Sequence, residues 1–232
     1  MGRRIVILGI ILLFCLGGAY AAARLGAFNW PREYDPLALP DLDAKPYWLQ
    51  KTQMKLLDAS GDNCEFALSR SQTLFRADPP QMERAGCFKL NTVTVMRLST
   101  ARLHPEETRC AVAARLYLWE RNVVQPQALR LFHEPVAEIT HFGSYNCRKK
   151  RGGSTMSEHA TANAFDISGF KLKSGKTISV LKDWKSAGTE GQFLHQVHDG
   201  LCKGFNLTLS PDYNKDHADH FHVDMGWWRD CR

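Results

Sequence analysis

Nineteen uncharged residues, Ile5 to Ala23, follow directly on Arg3 and Arg4, and they constrain this chain more than any other feature. A basic start, an apolar run and then small residues send a chain to a membrane. Two fates stay open. The "AYA" at Ala19 to Ala21 resembles a signal peptidase site, while the run is also about long enough to span a bilayer, which needs roughly 20 residues. With Arg3 and Arg4 on the inner side, the rest of the chain faces outward. Cys15 does not read as a lipid-attachment site, because the preceding Phe14 is too large.

Export explains the cysteines. Beyond the membrane segment stand Cys64, Cys87, Cys110, Cys147, Cys202 and Cys231, an even number with no CxxC pair, as in a domain held by disulfides in an oxidising compartment. A cysteine-based zinc site is thereby disfavoured. The spacing suggests Cys64 with Cys87, Cys110 with Cys147 and Cys202 with Cys231.

The 232 residues, 44% hydrophobic and 23% charged, suffice for one folded domain with appendages. The organisation expected is a membrane segment over 1–24, a proline-rich stretch over 25–57 and the domain over 58–232. Pro31, Pro36, Pro40 and Pro46 recur in the middle stretch without helical or strand period. It reads equally as an extended tether or as a strap packed on the domain through Trp30, Leu37 and Trp48.

Within the domain, "PEETRCAVAARLYLWERNVV" predicts a helix starting at Pro105, with Glu106 and Glu107 in its first turn and Pro126 as its stop. A second helix is predicted over "EGQFLHQVHDGLCKGF". Short β-branched or aromatic runs, "VAEITHFGSY", "AFDISGF", "TISVLKDW" and "HFHVDMGW", read as strands. Helices first and strands later imply an α+β fold with a small antiparallel sheet flanked by helices and stabilised by disulfides.

The chemistry sits on those strands. "SEHATANAFD" places His159 seven positions before Asp166, and "HADHFH" supplies His217, His220 and His222. Alternate strand residues share a face, so His220 and His222 point together while Phe221 and Val223 point into the opposite layer. Asp166 faces away from Phe165 and Ile167 in the same manner. Zinc in a catalytic site takes three His or carboxylate ligands and leaves a position for water, beside which a further histidine can act as a base. The isolated histidines, His104, His133, His195, His198 and also His141, read as ordinary surface or core residues.

These stretches, with "GSYNCR" and "LSPDYNKDHADHFHVDMG", resemble the extensin-like C-terminal domain family of bacterial envelope proteins, from about Cys64 to the end. That family is similar to zinc peptidases of the lysostaphin, D-Ala-D-Ala carboxypeptidase and murein endopeptidase group, which share a fold with hedgehog signalling domains. The resemblance implies zinc held by His159, Asp166 and His222, with His220 beside it as general base. It also implies that Ser157 and His217 bind substrate or position groups, and that Arg148, on the strand expected to border the site, meets an oxyanion or carboxylate. Arg148 otherwise belongs to a solvated "RKKR" run. Many of the carboxypeptidase relatives carry glycine where Ala162 or Asn163 stands, and a glutamate base where this chain offers His220.

The function implied is a zinc metallopeptidase cutting peptidoglycan stem-peptide or cross-link amides, periplasmic or otherwise extracytoplasmic, with the N-terminal segment as its membrane partner. A net charge of +6 favours an anionic wall. The alternative is a zinc-containing wall-binding module that has lost catalysis. Nucleic acid is not an expected partner of an exported chain with scattered basic residues.

Overall fold

A computed structural model describes residues 2–27 and 30–232. Met1, Phe28 and Asn29, which fall in the membrane and proline-rich stretches above, lie outside the described residues. The apolar run forms one helix, α1 (Gly2–Arg24), long and apolar enough to cross a membrane. Its length and composition are those of a membrane anchor or a signal helix, and with the disulfides they are consistent with an extracytoplasmic location.

The proline-rich stretch lies against the domain. Leu42, only 2% exposed, and Leu39 pack on the core, Arg121 donates to the Asp43 carbonyl, and Tyr117 hydrogen-bonds the Asp43 carboxylate. Trp48 and Leu37, at 72% and 57% exposure, take no part in the packing. The strap then enters α2 (Gln50–Ala59), and Ser60 caps α3 (Gly61–Ser69) by accepting the Asn63 N–H.

Five strands follow before the long helix: β1 (Leu74–Ala77), β2 (Gln81–Arg84), β3 (Cys87–Lys89), β4 (Thr92–Arg97) and β5 (Arg102–Arg109). Pro105, Glu106 and Glu107 therefore belong to a strand and not to a first helical turn. The Glu107 carboxylate accepts from Thr92 Oγ1 at 2.8 Å, and Glu106 accepts the Ser144 N–H at 2.7 Å. The helix starts only at Cys110, as α4 (Cys110–Trp119). Pro126 does not end it. A π-helical turn over Glu120–Val124 lets the Gln125 N–H reach the Glu120 carbonyl, and α5 (Gln125–Phe132) carries Pro126 in its first turn, where the missing N–H matters least.

The second half runs β6 (Val136–Gly143), β7 (Ala164–Leu172), β8 (Thr177–Ser179), α6 (Val180–Asp183), α7 (Thr189–Gly204), β9 (Leu207–Leu209), β10 (Phe221–Asp224) and β11 (Asp230–Cys231). The "TISVLKDW" run thus splits into a three-residue strand and a helical turn.

The fold is α+β, but its main sheet is mixed and large. Nine described strands join in the order β1-β4-β5-β6-β7-β10-β9-β11, with β8 on β7. The pairs β5·β6 and β9·β11 are parallel, so the expectation of a small antiparallel sheet is corrected. Phe165, Ile167, Phe221 and Val223 all fall in the core beneath α4 and α7, where Trp119 and Phe193 pack on Phe170. A bulge at Ser168 against β6 keeps Phe170 and Leu172 on that same face. The opposite face of β7 and β10 carries the polar residues Asp166, His222 and Asp224.

Two disulfides differ from expectation. The bridges are Cys64–Cys110, Cys87–Cys147 and Cys202–Cys231, and only the last has the pairing suggested by spacing. The reason is the strand block between the cysteines: α3 packs on α4, so Cys64 meets Cys110, while the β2–β3 hairpin carries Cys87 to the loop after β6.

Candidate metal centre

Register brings the expected residues together. β7 and β10 pair with Asp166 opposite His222, and both point away from the core. His159 arrives from a 3-10 turn, Glu158–Thr161, capped by Ser157, whose Oγ accepts the His159 N–H at 3.3 Å. The turn ends at Ala162, which is buried with φ of 52°, a left-handed conformation that glycine adopts more readily than alanine.

The metal-binding atoms of His159, Asp166 and His222 lie within 4.8 Å of one another. His159 Nε2 is 3.1 Å from His222 Nδ1 and 3.3 Å from Asp166 Oδ2, and His222 Nδ1 is 2.9 Å from Asp166 Oδ1. Donors at about 2.0–2.2 Å from a tetrahedral centre stand about 3.3–3.6 Å apart, so these three atoms lie at or a few tenths of an ångström inside the spacing of a tetrahedral metal site.

The outer ring nitrogens decide the orientation. His159 Nδ1 donates to the Ser144 carbonyl at 2.7 Å, and His222 Nε2 donates to Asp224 Oδ2 at 3.1 Å. When neutral, both rings therefore aim lone pairs inward, at a carboxylate. Three acceptors within hydrogen-bond distance of one another require a cation among them, either a proton or a metal.

Burial alone would raise the Asp166 carboxyl, yet hydrogen bonds from His159 and His222 hold it well below the usual carboxylate range. Burial also opposes a charge on His222, but its bonds to Asp166 and Asp224 push the ring up to about 9. That value describes the cluster with a proton between His222 and Asp166. Burial, with His222 and His220 nearby, lowers His217 to about 4.

His220 ends the loop before β10. Its Nδ1 donates to Asp219 Oδ1 at 2.8 Å, and its Nε2 stands 3.6 Å from Asp166 Oδ1, beyond a direct hydrogen bond. Phe142 meets the same ring edge to face at 5.6 Å. His217 lies 5.2 Å from His220 and 5.8 Å from His222, ring centre to ring centre, with its Nδ1 at 2.7 Å from Asn214 Oδ1.

Arg148 is not on a bordering strand. β6 stops at Gly143, whose φ is 103°, and Arg148 is exposed on the loop beyond, with no side-chain bond to the cluster. Its backbone does support the site, since its carbonyl accepts the Ser157 N–H at 3.0 Å. Sequence reasoning missed Asp224. The available signal was its position two residues after His222, on the same face of one strand. A second grouping, His198 with Cys202 and Cys231, offers no thiolates because the two cysteines form a disulfide.

Residues 62–232 match the family model described as "Extensin-like protein C-terminus". No curated protein and no solved structure matches the chain.

Proposed function

The chain belongs to the extensin-like protein C-terminus family, and from that premise and the geometry of the cluster we propose that it is a zinc-dependent peptidoglycan hydrolase. It cuts stem-peptide or cross-link amides outside the cytoplasmic membrane. The observation that carries this reading is the convergence of His159 Nε2, His222 Nδ1 and the Asp166 carboxylate, both rings fixed from behind, with His220 at the edge.

When bound, zinc supplies Lewis acidity, polarising an amide carbonyl and acidifying water. His159, Asp166 and His222 hold it, while the Ser144 carbonyl and Asp224 keep both rings turned inward. His220, its Nδ1–H tied to Asp219, presents Nε2 to take a proton from water and pass it to the leaving amine. A closed structural zinc site has no use for that extra ring. Ser157 positions His159 through its backbone and is not a nucleophile. Arg148 enters this reading only as a loop residue that reaches the oxyanion or the substrate carboxylate once substrate is bound. Normal hydrolysis by Arg148→Ala removes it.

The test is to incubate the detergent-solubilised chain with purified peptidoglycan and follow released muropeptides, with chelator and after zinc is restored. Release that stops with chelator and returns with zinc is expected. Zinc-loaded chain that releases nothing from any peptidoglycan overturns the hydrolase and leaves the wall-binding module.

A further inference from the structure

Away from the histidine cluster, a cavity of about 280 Å³ lies between α2, α4 and the end of α7. Its floor includes the buried Met54, Trp119 and Phe205, and its rim carries Lys51, Lys55, Lys203 and Arg229. All four cations are exposed, and among the described residues none of them forms an ion pair or a side-chain hydrogen bond. Arg115, at the same cavity, differs in being neutralised by Asp58 at 2.8 Å. Uncompensated cations around a hollow favour an anion there, and the apolar floor favours one that carries hydrocarbon beside its charge.

Two further observations identify the source of such an anion. Arg229 follows Trp227 and Trp228, which are 91% and 73% exposed, and tryptophan beside basic residues is the pairing found at the headgroup level of bilayers. The cavity is also tied to the end of α1. Tyr20 Oη and Arg24 Nη1 donate to the Asp35 carboxylate at 2.7 and 3.1 Å, and Gln53 Nε2 on α2 donates to the Asp35 carbonyl at 2.7 Å. Lys51, Met54 and Lys55 lie within a helical turn of Gln53.

We propose that this cavity docks an anionic phospholipid of the bilayer that α1 enters, with Lys51, Lys55, Lys203 and Arg229 around the phosphate and Trp227 and Trp228 at the headgroup level. The inference rests on α1 staying attached and is independent of zinc and of hydrolysis. Docking gives the domain a second hold on the membrane, beyond the single helix.

The test reconstitutes the full chain into nanodiscs of phosphatidylcholine, with or without phosphatidylglycerol, and compares hydrogen–deuterium exchange. Exchange over α2 and residues 225–231 slows in the anionic discs. Lys51→Gln with Lys55→Gln reduces that protection at least about five-fold, since each cation near an anionic surface contributes about that factor. Equal exchange in both lipids overturns the proposal, as does protection that survives the double substitution. Soluble glycerol phosphate that protects the same segments in phosphatidylcholine discs shows a free-anion site and overturns the lipid. Intact mass separates the premise from the proposal: a chain lacking residues 1–23 refutes the anchor, and the lipid-dependent protection is then read on that chain with vesicles.

Discussion

At the scale of single residues, Asp224 determines which nitrogen of His222 faces the cluster. Its carboxylate accepts Nε2–H, leaving the Nδ1 lone pair turned inward. Such outer partners typically contribute about 10- to 100-fold to metal affinity, so Asp224→Asn should weaken zinc retention by that factor while His222→Ala abolishes it. Competition with a chelator measures both, and unchanged affinity in Asp224→Asn would show that the carboxylate does not orient the ring. His220→Ala should keep zinc and lose about 10² to 10⁴ in rate, the usual worth of a positioned base. Loss of zinc in that variant would move His220 into the ligand set. The convergence of His159, Asp166 and His222 was legible because strand alternation and a spacing of seven are local signals. Asp224 was not, because its role depends on the tilt of a ring. Arg148 was misplaced because Gly143 ends β6 sooner than the apolar pattern implied.

At the scale of elements, the legible parts were those with clean periods, α7 and the core faces of β7 and β10. Among the strands β1 to β5, the burial of β1 and β5 is irregular and β2 is exposed throughout, so no alternation marks them, while the alternating Thr92–Arg97 run of β4 carried a readable signal that was overlooked. That omission also misdirected the disulfides, since the strand block decides which cysteines meet. The bridges close loops of 46 and 60 residues for Cys64–Cys110 and Cys87–Cys147. Each should contribute about 4 kcal/mol by restricting the unfolded chain. Their effects on the site should differ. Cys147 follows closely on Ser144, whose carbonyl holds His159 Nδ1, and its neighbour Asn146 donates its backbone N–H to the His159 carbonyl at 3.0 Å. Replacing Cys87 and Cys147 with alanine should therefore lower both stability and zinc retention, whereas replacing Cys64 and Cys110 should lower stability alone. Denaturant melts beside zinc titrations read the two effects, and equal zinc loss in both variants would deny the bridge a special role at the site.

At the scale of the whole molecule, the histidines make stability depend on pH in opposite directions. Burial lowers His141, His198 and His217, so the unfolded chain binds more protons below about 6.5 and stability falls as the solution is acidified. His222 behaves in the reverse manner. Its folded ring titrates at about 9 against an ordinary value of about 6.5, so its contribution is complete below 6.5 and is lost as pH rises through 9. Zinc-free chain should thus melt highest near pH 6.5. In zinc-loaded chain the metal takes the place of the proton at His222 Nδ1, and the alkaline decline should vanish. Melts are run with Cys15, the free cysteine among the described residues, alkylated so that no thiolate attacks a disulfide at high pH. A drop of at least about 4 °C between pH 6.5 and 9 is expected in chelator and not with zinc, given about 2–4 °C per kcal/mol for a chain of this size. Parallel profiles with and without zinc would mean that no metal replaces the proton between His159, Asp166 and His222, and the cluster would then be an ionic contact rather than a metal centre.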